Sequence, residues 1–222
     1  MRRFEDILDE AAARHGGREA VLADIAEPKS AEEIATVPDD RWLAEVARGI
    51  FRAGLSWDVV ETKWDGIEAA FDGFDTGKVA GMSEDRFDRL LADSRVIRSG
   101  AKIAAIRDNA VFIREVSEAH GSFGARVAEW PGEEFADLLQ WMRKEGARLG
   151  GNTGAMVMRT MGKDGYMLSR DVVARLVEEG VIEGPPKSKH ALTMVQAAFN
   201  MWQGESGLSL TAISKVLARS MG

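Results

Sequence analysis

Residues 148–154, Arg-Leu-Gly-Gly-Asn-Thr-Gly, join two helical stretches through a glycine-rich turn. Glycine permits the positive-φ backbone of a tight corner. The helix that follows begins with unpaired N–H groups at its positive dipole end, a natural seat for a phosphate. Gly150, Gly151, Asn152, Thr153 and Gly154 are therefore candidate anion-binding positions, although the same pattern also suits a plain glycine-capped helix–helix turn. Residues 51–57, Phe-Arg-Ala-Gly-Leu-Ser-Trp, place an indole just after a Gly-Leu-Ser turn. Of the six tryptophans, most belong in a core, whereas Trp57 at a helix start is the one placed to open a ring face to a pocket. Residues 94–109 gather Arg95, Arg98, Lys102 and Arg107, either a basic patch or a solvated helix face. Ser169 reads as an N-cap that puts Asp171 in a helix first turn, where a carboxylate partners the dipole or serves chemistry.

The elements that must position these residues are almost all helical. Phe4, Ile7, Leu8 and Ala11 repeat at helical spacing, as do Trp42, Leu43, Val46, Ala47 and Ile50 after Asp39 and Asp40. Ser56 starts a helix running to about Phe71, Asp75 and Ser83 start two short ones, and Ser99 precedes a long one bearing Ile103, Ile106, Ala110 and Ile113. Further helices are expected over 133–146, 153–161, 169–179, 188–203 and 210–220. No segment alternates like a strand between turn signals, so the fold class is all-α, with roughly ten helices in a compact body. The chain reads as one domain over 1–222, with 1–38 a separable N-terminal helical segment, and 24–40 and 180–188 as the longest irregular patches.

Composition narrows the chemistry. The 222 residues contain no cysteine, which removes disulfides, iron–sulfur clusters and thiolate zinc sites. His15, His120 and His190 are far apart in sequence, and no metal site or cofactor is expected. A net charge of −7 is acidic for a nucleic-acid binder, leaving local charge on one face to decide. No run approaches the ~18 apolar residues of a membrane span, and the acidic start MRRFEDILDE lacks the apolar stretch of a signal peptide, so the cytoplasm is the expected location.

Together, AGLSW at 53–57, FDGFDTGKVAGMSEDRFDRLLADSRVIRSGAKIAAIRDNA at 71–110 and RLGGNTGAMVMRTMG at 148–162 resemble the DNA-3-methyladenine glycosylase I family of the helix–hairpin–helix glycosylase superfamily. Phe71, Phe74, Asp75, Lys78, Val79, Ala80, Ile97, Arg98, Lys102, Ile103, Asn109 and Ala110 match its order, over roughly residues 45–165. The resemblance implies an all-α fold and base excision from damaged double-stranded DNA: an alkylated purine such as 3-methyladenine is flipped from the duplex and its N-glycosidic bond hydrolysed. It implies that Trp57 stacks on the cationic base, and that Gly150–Gly154, with Arg98 and Lys102, contacts the backbone. The wider superfamily places a catalytic aspartate about one helix after the hairpin, close to Asp171. No lysine takes the superfamily's usual lyase position, Lys163 lying nearest, so a monofunctional enzyme is expected; it is expected to act as a monomer in a bacterial-type cytoplasm, nucleoid-associated when on DNA.

Three departures stand out. Known members hold a structural zinc through two Cys and two His, and this chain has no Cys. A base-recognising glutamate four residues before AGLSW becomes Gly49, with Glu45 one helical turn earlier as the carboxylate that shares its face. The aromatic partner of the tryptophan comes from an N-terminus that does not align, leaving Phe4 to His15 as the stretch to supply it. An inactive lesion- or structure-binding protein on the same scaffold is the alternative.

Overall fold

The computed structural model describes residues 1–221. Among them are fourteen α-helices and no strand: α1 (Phe4–His15), α2 (Arg18–Leu22), α3 (Ala31–Ala35), α4 (Asp39–Arg52), α5 (Trp57–Ala70), α6 (Thr76–Ala80), α7 (Glu84–Ala92), α8 (Gly100–His120), α9 (Phe123–Ala128), α10 (Phe135–Glu145), α11 (Asn152–Met161), α12 (Arg170–Glu178), α13 (Lys189–Ser206) and α14 (Leu210–Arg219). The all-α expectation holds. The excess over ten comes from short helices, notably α2, α3 and α9, which no long apolar repeat announces. The supposedly irregular stretch 24–40 contains α3, set by a capping box in which the Ser30 hydroxyl accepts from the Glu33 amide and the Glu33 carboxylate accepts from the Ser30 amide.

The helices divide into two compact units. One comprises residues 1–29, 131–138 and 162–222, and the other 30–130 and 139–161. The division follows neither terminus, because the first unit is assembled from three separate pieces of chain.

In the second unit α4 supplies the central apolar face, with Trp42, Leu43, Val46, Ala47, Ile50 and Phe51 buried. Ile103, Ile106, Ala110 and Ile113 of α8 are buried too. Full burial of each such large side chain contributes about 1.5–3 kcal/mol. Trp42, Phe112, Phe123 and Trp141 pack edge and face at 5.1–5.9 Å, and Trp64, Phe74 and Phe71 stack in a row at 5.5 and 5.2 Å.

The first unit binds α1, α12 and α14 through a buried cation. Arg175, 1% exposed, donates to Glu10 (2.9 Å), Glu178 (2.9 Å), and the Ser220 hydroxyl and carbonyl (both 2.8 Å). Arg2 pairs with the buried Glu179 at 2.7 Å. Asp164 accepts from the Leu210 and Thr211 amides at 3.0 and 2.9 Å, so this turn residue caps the start of α14.

Candidate active site

α4 ends at Arg52, the chain turns through Gly54 at φ +76°, and Ser56 leads into α5, whose first residue is Trp57. This corner leaves the last carbonyls of α4 without helical partners. Lys102 of α8 takes them: its ammonium donates to the carbonyls of Phe51 (2.9 Å) and Ala53 (2.7 Å). Burial, and then the charge of Arg148, pushes this ammonium below the ordinary lysine range. Lys102, expected to contact a DNA backbone, instead has two of its three donors on its own chain, where it holds the corner that presents Trp57.

Trp57 is 51% exposed, so the expected open indole is present. The Arg52 guanidinium lies 4.5 Å from its ring centroid. Glu61 of α5 holds that guanidinium, accepting at 2.7 Å from Nη2 and 3.2 Å from Nε. Behind them sits Glu45, 6% exposed. Its Oε2 lies 3.7 Å from Arg48 Nη1 and its Oε1 3.9 Å from Arg52 Nη1. Oε1 is buried and accepts no hydrogen bond. Burial pushes the Glu45 carboxyl above the ordinary range, against the opposing pull of Arg48 and Arg52. Arg48 in turn lies 4.1 Å over the buried Trp64 ring. The result is a two-acid, two-arginine cluster between two indoles, with a desolvated carboxylate at its base.

Gly49 has a different neighbour. A Cβ there would sit 3.2 Å from Val157 Cγ2 and 3.3 Å from Thr153 Cγ2, because α4 crosses α11 at this point. The small residue accommodates the helix crossing, while the carboxylate one turn earlier, on Glu45, faces the arginines.

The glycine turn between α10 and α11 is held from α8. Asn109, fully buried, donates through Nδ2 to the carbonyls of Ala105 (2.7 Å) and Ala147 (2.8 Å), and its Oδ1 accepts from the Ala147 amide at 3.1 Å. Arg148 and Gly151 adopt φ of +58° and +60°, which turns the chain back on itself. Gly151 and Asn152 are exposed at the tip. The Gly150 and Gly151 amides find no acceptor among the described residues. Thr153 donates to the Gly150 carbonyl at 3.4 Å, and a Cβ on Gly154 would lie 2.7 Å from the Leu149 carbonyl oxygen. That contact is with backbone and has no flexible side chain to yield. Gly154→Ala is expected to destabilise the protein by about 1–3 kcal/mol through overpacking, read as a lower midpoint in urea with unchanged slope.

The basic stretch is mostly neutralised from within. Arg95 pairs with Asp93 at 2.6 Å and holds that carboxyl down at about 2. Arg107 pairs with Glu84 at 3.0 Å. Arg98 remains exposed, with no ion pair among the described residues.

Trp57, Glu45, Arg98, Lys102 and the hairpin all lie in the second unit, whereas Asp171 lies in the first. Asp171 stands in the first turn of α12, after an N-cap in which Ser169 Oγ accepts from the Val172 amide at 3.2 Å, and its Oδ1 lies 3.4 Å from Arg170 Nε. The residues that sequence reasoning passed over are Arg52, Arg48 and Glu61. Each is an ordinary charge on a helix, and only the packing of α5 on α4 makes them a cluster.

Residues 37–165 match the methyladenine glycosylase family, more than half of the chain and nearly all of the second unit. The chain belongs to the methyladenine glycosylase family. The curated DNA-3-methyladenine glycosylase 1 of Escherichia coli K12 is 46% identical over 59 residues, an alignment covering 27% of this chain and 32% of that protein's length. Among solved structures, 3-methyladenine DNA glycosylase I from Staphylococcus aureus superposes with a TM-score of 0.52 at 21% identity, covering 70% of this chain and 91% of that one. The Methanocaldococcus jannaschii 8-oxoguanine glycosylase/lyase, solved with a 15mer DNA containing 8-oxoguanine, has a TM-score of 0.52 at 12% identity, covering 96% and 95%. At these identities the superpositions show a shared helical glycosylase fold.

The zinc site known in the family does not fit this member. The chain has no cysteine, and among the described residues no three His, Asp or Glu side chains converge as ligands. No helix among the described residues is long and apolar enough to cross a membrane.

Proposed function

We propose that this family member is a monofunctional DNA glycosylase that removes alkylated purines such as 3-methyladenine from duplex DNA by hydrolysis of the N-glycosidic bond. The observation that carries the reading is the half-exposed Trp57 indole joined through Arg52 to the desolvated Glu45 carboxylate, within the segment that matches the family. A base must leave the stack before its glycosidic bond is reachable. An extruded alkylpurine is planar and cationic, and an indole face attracts it by stacking and by the ring quadrupole. Glu45, with its unpartnered Oε1, supplies a negative acceptor for the N–H edge of such a base.

The hairpin Gly150–Gly154, exposed at Gly151 and Asn152, and the exposed Arg98 are assigned to the phosphates, a contact that fixes register without reading sequence. Lys102 acts indirectly, by fixing the corner that carries Trp57. Asp171 is assigned to electrostatic stabilisation of the positive charge that develops on the sugar as the neutral base departs. Because the alkylated base leaves without prior protonation, no strong general acid is required. Damaged DNA would be its partner, in the cytoplasm, with the protein acting as a monomer.

The test is release of 3-methyladenine from methylated duplex DNA by the full chain, beside an active enzyme run in parallel. Release is expected, and Asp171→Asn is expected to slow it about 100-fold. Absence of release alongside retained, salt-dependent affinity for damaged duplex would identify a non-catalytic lesion binder, a reading favoured by Gly49 at the position of the family glutamate and by Arg52 on the indole.

A further inference from the structure

Resting on that reading, we infer that Arg52 is a displaceable internal occupant of the base position: the protein keeps its own planar cation between Trp57 and Glu45 and exchanges it for the cationic base. The geometry is specific. The guanidinium carbon lies 4.5 Å from the Trp57 ring centroid, and Nη1 of the same group lies 3.9 Å from Glu45 Oε1. A ligand that touches both the indole and the buried carboxylate must take the space the guanidinium fills. The Arg52 side chain is only 14% exposed although the Trp57 ring it covers is half-exposed, so the guanidinium is held against the acids and is not free in solvent.

The occupant resembles the proposed ligand in every property that matters. Both are planar, delocalised cations with N–H donors along one edge, and both are recognised by a π-face and by carboxylates. Arg52 is nevertheless an incomplete ligand for Glu45: 3.9 Å is beyond hydrogen-bond range, and Oε1 accepts nothing. A base whose N–H edge reaches Oε1 satisfies an oxygen that the resting protein leaves unsatisfied, which supplies a driving force for the exchange. Glu61 provides the other half of the device. It grips Nε and Nη2 from the exposed side, being 43% exposed itself, so it can retain the guanidinium as the chain swings outward.

Charge accounts for selectivity. Glu45 and Glu61 balance Arg48 and Arg52, so the resting cluster is neutral. Replacement of Arg52 by a cationic purine preserves that balance around a buried carboxylate. Replacement by a neutral purine leaves Glu45 short of positive charge in a desolvated place, an unfavourable state. Arg52 thereby lowers the affinity for every base, since the competent fraction is reduced by its own occupancy, while the acids beneath it reserve the site for cations.

The experiment compares binding of the 3,9-dimethyladeninium cation, which keeps the charge of the alkylated base in DNA, to the wild-type chain and to Arg52→Gln and Arg52→Met by calorimetry. In parallel, the Arg52 Nε–H resonance, assigned by its loss in the variants, is followed in the wild type. Both variants are expected to bind about 10-fold more tightly than wild type. The Arg52 resonance is expected to carry an upfield ring-current shift that disappears as the base saturates the site. Equal or weaker binding by the variants, or a resonance that stays in place at saturation, would overturn the exchange while excision by wild type leaves the glycosylase reading intact. If neither wild type nor variants bind the base and wild type releases none from methylated DNA, the glycosylase reading itself falls.

Discussion

Trp57→Ala is expected to lower excision of 3-methyladenine by about 10- to 100-fold while leaving the fold nearly as stable as before. Stacking of a base on an aromatic side chain is worth about 1–3 kcal/mol, and each ~1.4 kcal/mol is a factor of ten in rate. The effect on folding is small because the ring is 51% exposed and buries little area. Its principal internal contact is the Arg52 guanidinium at 4.5 Å, an interaction of about 0.5–1 kcal/mol at an exposed position. Trp64, seven residues on along α5, is the contrast: 7% exposed and stacked on Phe74 at 5.5 Å, it belongs to the core. Single-turnover excision and thermal denaturation of the same Trp57→Ala preparation check the prediction. A tenfold or greater loss of rate with an unchanged melting temperature supports the stacking role, and an unchanged rate removes Trp57 from the site.

Arg175→Ala carries the largest expected effect on stability, a loss of about 3–5 kcal/mol, because removing one member of a buried ion cluster leaves the others desolvated without compensation. The guanidinium is 1% exposed and joins α12 to Glu10 on α1 and to Ser220 beyond α14. It ties these segments together through four hydrogen bonds. The cluster also sets an acid limb. Burial opposes ionisation of Glu10, but hydrogen bonds and charge from Arg175 and then Arg2 outweigh it, and the carboxyl lies below the ordinary glutamate range. Burial likewise opposes ionisation of Glu179, with hydrogen bonds and charge from Arg2, then Arg175, reversing the direction. Carboxyls lowered in the folded state contribute stability that is fully present above their unfolded pKa of about 4.3 and is lost as pH falls through the lower folded values. Urea denaturation from pH 7 down to pH 3 is expected to show wild type losing stability over that acid window and Arg175→Ala starting lower and falling less steeply. A parallel pair of curves would show that Glu10 and Glu179 do not depend on Arg175.

The contrast between these two sites follows from burial. At Trp57 the protein leaves surface uncovered and stores little folding energy, so the side chain is available to a ligand. At Arg175 the buried guanidinium makes four internal hydrogen bonds and pairs with Glu179, so the side chain is available to nothing else. Lys102 lies between them: two of its donors close the end of α4, which makes a residue that reads as a basic contact into the support of the tryptophan corner.

The amino-acid sequence by itself determined the helical class, because apolar spacing and capping residues are local and survive without tertiary information. Ser83 and Ser169, read as helix starts, do accept the amide hydrogen bonds of the first turn. The motif blocks also placed Trp57 at a helix start and the glycines at a reversal of the chain, since positive-φ turns and helix ends are written in residue type. Tertiary structure alone decided which charges were free. Arg95, Arg98, Lys102 and Arg107 are indistinguishable as a run of cations; Arg95 finds Asp93 two residues away, but only folding delivered two carbonyls to Lys102 and Glu84 to Arg107, leaving Arg98. It decided that Gly49 faces α11 while Glu45, one turn away, is buried against Arg48 and Arg52. Chain order encodes backbone preference residue by residue, but the partner of a charge and the surroundings of a carboxylate depend on residues brought from distant segments, and those exist only once the helices have packed.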